Sequence, residues 1–273
     1  MFLEKLRKKW NDRKIFFLKP KRSDSLICVS KKEISNKSGI LIGLNYPNSF
    51  YSLNGCVNDV KNGDSYLKTH GYDSKFLDDS GVTNSYNVLE ALEELGSNDS
   101  KYVFFHYSGH GTQQVDKDGD EADGMDEVVY SIGGKLITDD EINKTLSSFP
   151  EDKIVFLIFD CCHSGTIADL PYISSPYGYS LEKVPKFVKA KVICLSGCKD
   201  NQTSADVTED SISYGALSST LYNILRNADK NKKEFTWKQL HKQLVLEMSF
   251  KNYTQRPQLT ASDPALFDQI VKF

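Results

Sequence analysis

The chain has 273 residues, 39% hydrophobic and 26% charged, with a formal net charge of −3. That length suits one large domain or two small ones, and the balance marks a soluble globular protein. No run of about 18 apolar residues occurs, which excludes a transmembrane helix from the expectation, and charges interrupt every apolar stretch of "MFLEKLRKKWNDRKIFFLKPKR", so no signal-peptide core is expected.

Charge is unevenly spread. Residues 1–37 hold twelve Lys/Arg against four Asp/Glu, a net +8 that leaves −11 on the remainder of the chain. A basic leader over 1–37 and a folded domain over 38–273 are therefore expected. Such an arm has the charge to meet nucleic acid or an anionic membrane, but a solvated terminus is the simpler expectation, and no nucleic-acid partner is expected. The six cysteines have neither a disulfide-framework nor a zinc spacing. A reduced, cytoplasmic chain follows.

From "GILIGLNY" onward strands and helices alternate. That stretch reads as a buried strand. "NGCVNDVKNGDSYLKTHGY" has helical spacing through Val57, Val60, Tyr66 and Leu67. "DSKFLDDS" is a short strand, and "TNSYNVLEALEELG" a helix ended by Gly96. "KYVFFHYSG" and "DEVVYSI" are strands. "TDDEINKTLSSFP" is a helix opened by a capping box, Thr138 with Glu141. "DKIVFLIFD" and "AKVICLSG" are apolar strands, and between them "LPYISSPYGYSLEKVPKF" is the clearest long loop. "GALSSTLYNILRNADK" and "TWKQLHKQLVLEMSF" are helices, the second with a capping box at Thr236 and Gln239, and "RPQLTASD" is extended. Apolar strands alternating with helices predict an α/β fold, a parallel sheet covered on both faces.

Two of these strands end alike. "YVFFHYSGHGTQ" and "KIVFLIFDCCHSG" each deliver polar residues into a Gly-containing loop, at the carboxyl ends where open α/β sheets bind ligands. A cysteine nucleophile needs a nearby imidazole for its proton and backbone N–H groups for the developing oxyanion. His110 precedes Cys162 by 52 residues, the order and rough separation of caspase-type sites. His106 lies within its strand and is expected to pack. His163 is adjacent to Cys162 and badly aimed to serve it. His110, free of the strand and flanked by glycines, is the better base. Cys161 and Cys162 point opposite ways, and spacing alone does not choose between them.

These motifs resemble those of the metacaspases, caspase-like cysteine proteases. "LIGLNY", "LNGCVNDV", "DGDEADGMDEVV", "LSGCKDNQTSADV" and "QRPQLTAS" extend the resemblance from about Ser38 to the C-terminus, in the type I arrangement without a long inserted linker. The resemblance implies the caspase-like (caspase-hemoglobinase) fold, with a mostly parallel central sheet flanked by helices on both faces. It implies a cysteine endopeptidase with Cys162 as nucleophile and His110 as base, acting through a thioester acyl-enzyme. It also implies cleavage after Arg or Lys, with Asp59 and Asp160 in an acidic pocket lined by Cys56 and Ser108. Paired carboxylates suit a guanidinium or ammonium.

The family also implies Ca²⁺. An EF-hand over "DKDGDEADGMDE" is rejected, since Glu121 stands where that loop requires Gly and the flanking helices are missing. By resemblance the ligands are Asp126, Asp139, Asp140 and Asp169. Asp139 and Asp140 also open a helix, where carboxylates are favoured in any case. A basic arm and a preference for basic residues suggest self-processing, with Lys183, Lys186 and Lys189 as further candidate sites. The leader here is neither Pro/Gln-rich nor a zinc finger, unlike many in the family. Protein or peptide substrates and a monomer are expected, because in the family the edge that caspases use to dimerise is occupied. A non-catalytic caspase-like scaffold, or a hydrolase of the same clan with another pocket, are the alternatives.

Overall fold

The computed structural model describes residues 36–273 except 83–85, 118, 120–123, 163, 198–205, 210–211 and 254. The basic leader up to residue 35, His163 and the acidic positions Asp118, Asp120 and Glu121 lie outside the described residues. In chain order the elements begin β1 (Lys37–Gly43), α1 (Cys56–Thr69), β2 (Asp73–Leu77), α2 (Val88–Ser97) and β3 (Tyr102–Ser108). They continue with β4 (Gly111–Val115), β5 (Met125–Tyr130), β6 (Leu136–Thr138), α3 (Asp139–Leu146) and β7 (Ile154–Asp160). After these come β8 (Tyr172–Ser175), β9 (Gly178–Leu181), β10 (Lys191–Ser196), β11 (Asp206–Glu209) and β12 (Ile212–Gly215). The last elements are α4 (Ala216–Asn231), α5 (Trp237–Phe250) and β13 (Gln258–Ala261).

The main sheet runs β2-β1-β3-β7-β10-β13-β8-β9. Its first five strands are parallel, and β13, β8 and β9 are added antiparallel. The strands are apolar along their length because both faces are covered. Phe105, Leu157 and Phe159 face α2 and α3, where Leu92, Leu95, Ile142 and Leu146 meet them. Phe104, Phe156 and Ile158 point the other way, toward Val60, Leu67, Leu221, Tyr222 and Leu244 of α1, α4 and α5. The period-two alternation of each strand thus serves two cores at once. Both expected capping boxes form, Thr138 with Glu141 on α3 and Thr236 with Gln239 on α5, and α2 adds a third from Asn87 and Glu90.

Two expectations are corrected. The segment after the cysteine loop is not a plain loop: Tyr172–Ser175 and Gly178–Leu181 form a hairpin, paired through β8 to β13. Its residues are mostly half-buried or exposed, so no apolar pattern announces strands that form by pairing to a sheet edge. Gly96 does not end α2 but lies inside it, where an added Cβ would stand 2.6 Å from the Phe149 ring. Close helix packing, not termination, uses the glycine there.

Candidate active site

The strand register brings the two motifs together. β3 and β7 are adjacent and parallel, and their last pair is Ser108 with Asp160. The Gly109 N–H donates to the Asp160 carbonyl at 3.3 Å. His110 and Cys162 each stand two residues beyond that pair, at the carboxyl end of the sheet. Gly111 closes the gap: an added Cβ would lie 2.1 Å from the Cys162 carbonyl oxygen and 3.0 Å from the Cys161 sulfur. Only glycine lets the histidine loop pass this close. The cysteines separate as alternation requires. Cys161 is fully buried in the core with Tyr107 and Phe159, while Cys162 is only half-buried. Buried thiols among apolar side chains are inert, and a partly exposed one has access to substrate.

His110 is held on every side. Its Nε2–H donates to the Tyr51 carbonyl at 2.6 Å. A carbonyl only accepts, so this bond puts the ring proton on Nε2 and leaves Nδ1 as the basic nitrogen. Tyr46 lies against the ring at 4.9 Å between centroids, and Tyr51 meets it edge-on at 5.7 Å. The His110 N–H donates to the Tyr46 hydroxyl at 3.1 Å, and its carbonyl accepts from the Tyr107 hydroxyl at 2.8 Å and the Tyr130 N–H at 3.0 Å. The two hydroxyls lie 2.9 Å apart, and burial pushes both phenols well above their ordinary range. They remain hydroxyls at any working pH. Tyr46 adopts φ +49°, costly for a non-glycine residue. Asp79 offsets that cost by accepting from the N–H groups of Asn45 at 3.0 Å and Tyr46 at 2.7 Å. His106, by contrast, packs as expected. It is fully buried between the Ser218 and Tyr222 hydroxyls, and burial pushes its pKa down to about 3.

Beside this lies the acidic pair. Asp59 stands one turn after Cys56 on α1, and both are buried. Ser108 Oγ donates to Asp59 Oδ2 at 2.7 Å, and the Gly215 N–H donates to both Asp59 oxygens at 2.8 and 3.0 Å. Asp160, 3% exposed, accepts from the Ser218 N–H at 2.9 Å. A Cβ on Gly215 would stand 2.2 Å from Asp160 Oδ2 and 2.8 Å from Asp59 Oδ2. The two carboxylates therefore converge over the start of α4, whose N-cap Gly215 supplies no side-chain cap of its own. They take the amides that the helix end leaves open and sit at its positive pole. The structure thus gathers Asp59, Asp160 and Ser108 around one point, with Cys56 a helical turn away.

The four remaining aspartates form a second cluster. Carboxylate oxygens of Asp126, Asp139 and Asp140 lie within 4.8 Å of one another. Asp169 joins them through Lys186, whose ammonium pairs with Asp140 and, at 2.9 Å, with Asp169 Oδ2. Asp139 accepts from the N–H groups of Glu127 at 2.7 Å and Asp140 at 2.8 Å. Burial, and then the charges of Asp169 and Glu127, push its pKa up to about 10. Carboxylates this crowded need protons or a cation. Hard oxygen donors drawn from β5, α3 and the loop after Cys162 are of the type that suits Ca²⁺, and the Lys186 ammonium pairs with two of them.

Sequence reasoning missed Glu127, Tyr46, Asp79, Tyr107 and the Tyr51 carbonyl. Glu127 follows Asp126 directly, but its inward aim needs the β4–β5 pairing. A cavity of about 970 Å³, lined by Lys37, Tyr66, His70, Tyr102 and Phe273, contains none of the site residues. It opens where strands β1 and β3 start, the end of the sheet away from the chemistry.

With this geometry in hand, comparison with known proteins is direct. The caspase domain model matches residues 37–267. The Metacaspase-1 of Candida glabrata is 33% identical over 291 aligned residues, which cover 84% of this chain and 73% of that one. Among solved structures, protein GSU0716 of Geobacter sulfurreducens superposes with a TM-score of 0.63 at 25% identity, over 85% of this chain and 97% of that one. Caspase-1 of Spodoptera frugiperda shares the fold, with a TM-score of 0.56 at 12% identity over 83% and 88% of the two chains. The matched region carries both strand-end loops and the sheet between them, and the chain belongs to the metacaspases, caspase-like cysteine-type endopeptidases.

Proposed function

We propose that this endopeptidase cleaves after Arg or Lys, with Cys162 as nucleophile, His110 as base and Ca²⁺ as activator. The observation that carries the reading is the convergence of Asp59 and Asp160 over the start of α4, beside the loops bearing Cys162 and His110. His110 Nδ1 takes the thiol proton, and the Cys162 sulfur attacks the scissile carbonyl carbon. Backbone N–H groups of the two turns stabilise the resulting oxyanion, with Gly111 as first candidate because no side chain separates it from Cys162. Collapse expels the amine, which leaves with the proton from His110, and a thioester remains. Water, losing a proton to His110, then attacks the thioester, and the sulfur leaves as the acid departs. The Tyr51 carbonyl keeps the imidazole in the tautomer this sequence needs.

Asp59 and Asp160 bind the basic side chain. Their bonds to Ser108, Gly215 and Ser218 hold both carboxylates in place before substrate arrives. Asp126, Asp139, Asp140 and Asp169 would hold Ca²⁺, which supplies when bound a fixed positive charge that neutralises the cluster. Asp169 lies seven residues after Cys162, so these ligands link the cluster to the nucleophile loop. Proteolysis of the chain by itself, at the leader of residues 1–37 or among Lys183, Lys186 and Lys189, follows from the same specificity. Among the described residues no helix is long and apolar enough to cross a membrane. Cys56, Cys161, Cys162 and Cys194 form no disulfide, which suits a reducing, cytoplasmic setting.

The test uses fluorogenic peptides ending in Arg, Lys or Asp, with Ca²⁺ or with chelator, on the wild type and Cys162→Ala. Arg and Lys peptides should be turned over only by the wild type and only with Ca²⁺. Preference for Asp would overturn the pocket assignment, and equal rates in chelator would overturn the calcium assignment.

A further inference from the structure

We propose that Lys186 is the resting counter-cation of the acidic cluster, and that a divalent cation bound there displaces it and releases the segment after the β8–β9 hairpin. This rests on the calcium reading above and adds its regulation. One ammonium bridges Asp140, on the first turn of α3, and Asp169, in the loop after Cys162. The pair is partly sheltered: the side chains of Lys186 and Asp169 are 25% and 8% exposed. Asp140 is also one of the three residues whose oxygens lie within 4.8 Å of one another. A divalent cation drawing on Asp140 and Asp169 therefore competes with the ammonium for the same oxygens, and its charge repels the ammonium at contact distance.

The stretch that carries Lys186 is easily released. Residues 182–190 are neither helix nor strand; Val184 and Phe187 are largely exposed, while Val188 packs against the core and Ala190 is buried in it. Between Glu182 and Phe187 little apolar burial holds the chain down beside the ion pairs, and Val188 and Ala190 anchor its far end. Lys186 is also the residue type the acidic pocket is proposed to read. While its ammonium is paired with Asp140 and Asp169 it is unavailable to any Lys-reading pocket, so self-cleavage after Lys186 is restrained until the cation arrives. Lys189, which is exposed, serves as an internal comparison.

The experiment uses the full chain with Cys162→Ala, so that self-cleavage does not consume it. Calcium binding is measured by titration calorimetry with Lys186 intact, with Lys186→Met and with Lys186→Arg. Lys186→Met should bind about tenfold more tightly, since it loses the competing charge but keeps an apolar stem, and Lys186→Arg should stay within about twofold. Equal affinity of the Met variant and the parent overturns displacement alone. Absence of binding in all three overturns the calcium reading and this proposal with it. Independently, trypsin cleavage at Lys186–Phe187 is followed by mass spectrometry against Lys189–Ala190 in the parent. Calcium should raise that ratio several-fold, and an unchanged or falling ratio overturns release.

Discussion

Cys161 and Cys162 are neighbours in sequence with opposite fates. Cys161→Ala should leave turnover within about twofold while lowering stability by on the order of 1 kcal/mol, a core truncation. Cys162→Ala should abolish turnover and leave the melting temperature nearly unchanged. Peptide kinetics beside thermal melts check both. The adjacent Tyr46 and Tyr107 hydroxyls hold the N–H and the carbonyl of His110 respectively. Tyr46→Phe keeps the ring beside the imidazole and removes the hydroxyl's bond to the His110 N–H, worth about 1 kcal/mol, along with its bonds to the Tyr107 hydroxyl and the Tyr130 carbonyl. It should lower kcat by roughly tenfold with KM little changed, and Tyr107→Phe should behave alike. A purely structural role would shift the melting temperature and spare kcat. The roles of this layer were unequally legible. His110 stands out because it breaks from an apolar strand into glycines. Tyr46 reads as the end of a strand, because its φ of +49° and its support from Asp79, 33 residues on, exist only once the chain has folded.

Helix starts do two jobs here. α4 opens on Gly215, and its free amides are met by Asp59 and Asp160 from other elements. Gly215→Ala would push a methyl group to within 2.2 Å of the Asp160 carboxylate. Turnover of Arg and Lys peptides should fall by on the order of 100-fold, as for a misplaced binding group, with a smaller fall in stability. The α3 start was legible as a capping box at Thr138, but the same letters concealed the crowding of its first residue. Asp139 is held near pKa 10 in the fold, against an ordinary carboxylate value when unfolded. The folded chain therefore binds a proton that the unfolded chain loses above about pH 4. Stability from this group is full below that pH and is lost as pH rises toward 10. Asp139→Asn does not titrate. In chelator its melting temperature should gain on the wild type as pH rises from 5 to about 9, and added Ca²⁺ should reverse the gap by stabilising only the intact cluster. A gap independent of pH in chelator would mean that Asp139 is ionised throughout.

At the scale of the whole sheet, alternation and apolar runs were enough to anticipate a parallel sheet with helices on both faces, because β1, β3, β7 and β10 are buried on both sides and carry that fact in their composition, although "DEVVYSI" pairs instead in a separate sheet with β4 and β6. The antiparallel end was not legible. β8 and β9 hold polar and exposed residues, including Tyr179, with exposed Tyr177 in the turn between them, and become strands only because β13 offers an unpaired edge. That end of the sheet is where association would occur. The hairpin pairs with β13 through Thr260 and Ala261, opposite Ile173 and Tyr172, and so occupies the edge that a second copy would need. A strand left with open N–H and C=O groups beside apolar side chains is a template for another chain. Replacing residues 172–181 with a short Gly/Ser linker should leave β10 and β13 paired but uncover that edge. Sedimentation of Cys162→Ala should then show a monomer, and the linker variant in the same background should shift to dimers or larger species as concentration rises. If both sediment as monomers, the hairpin does not guard the edge, and if the intact chain is already dimeric, its partner must use another surface.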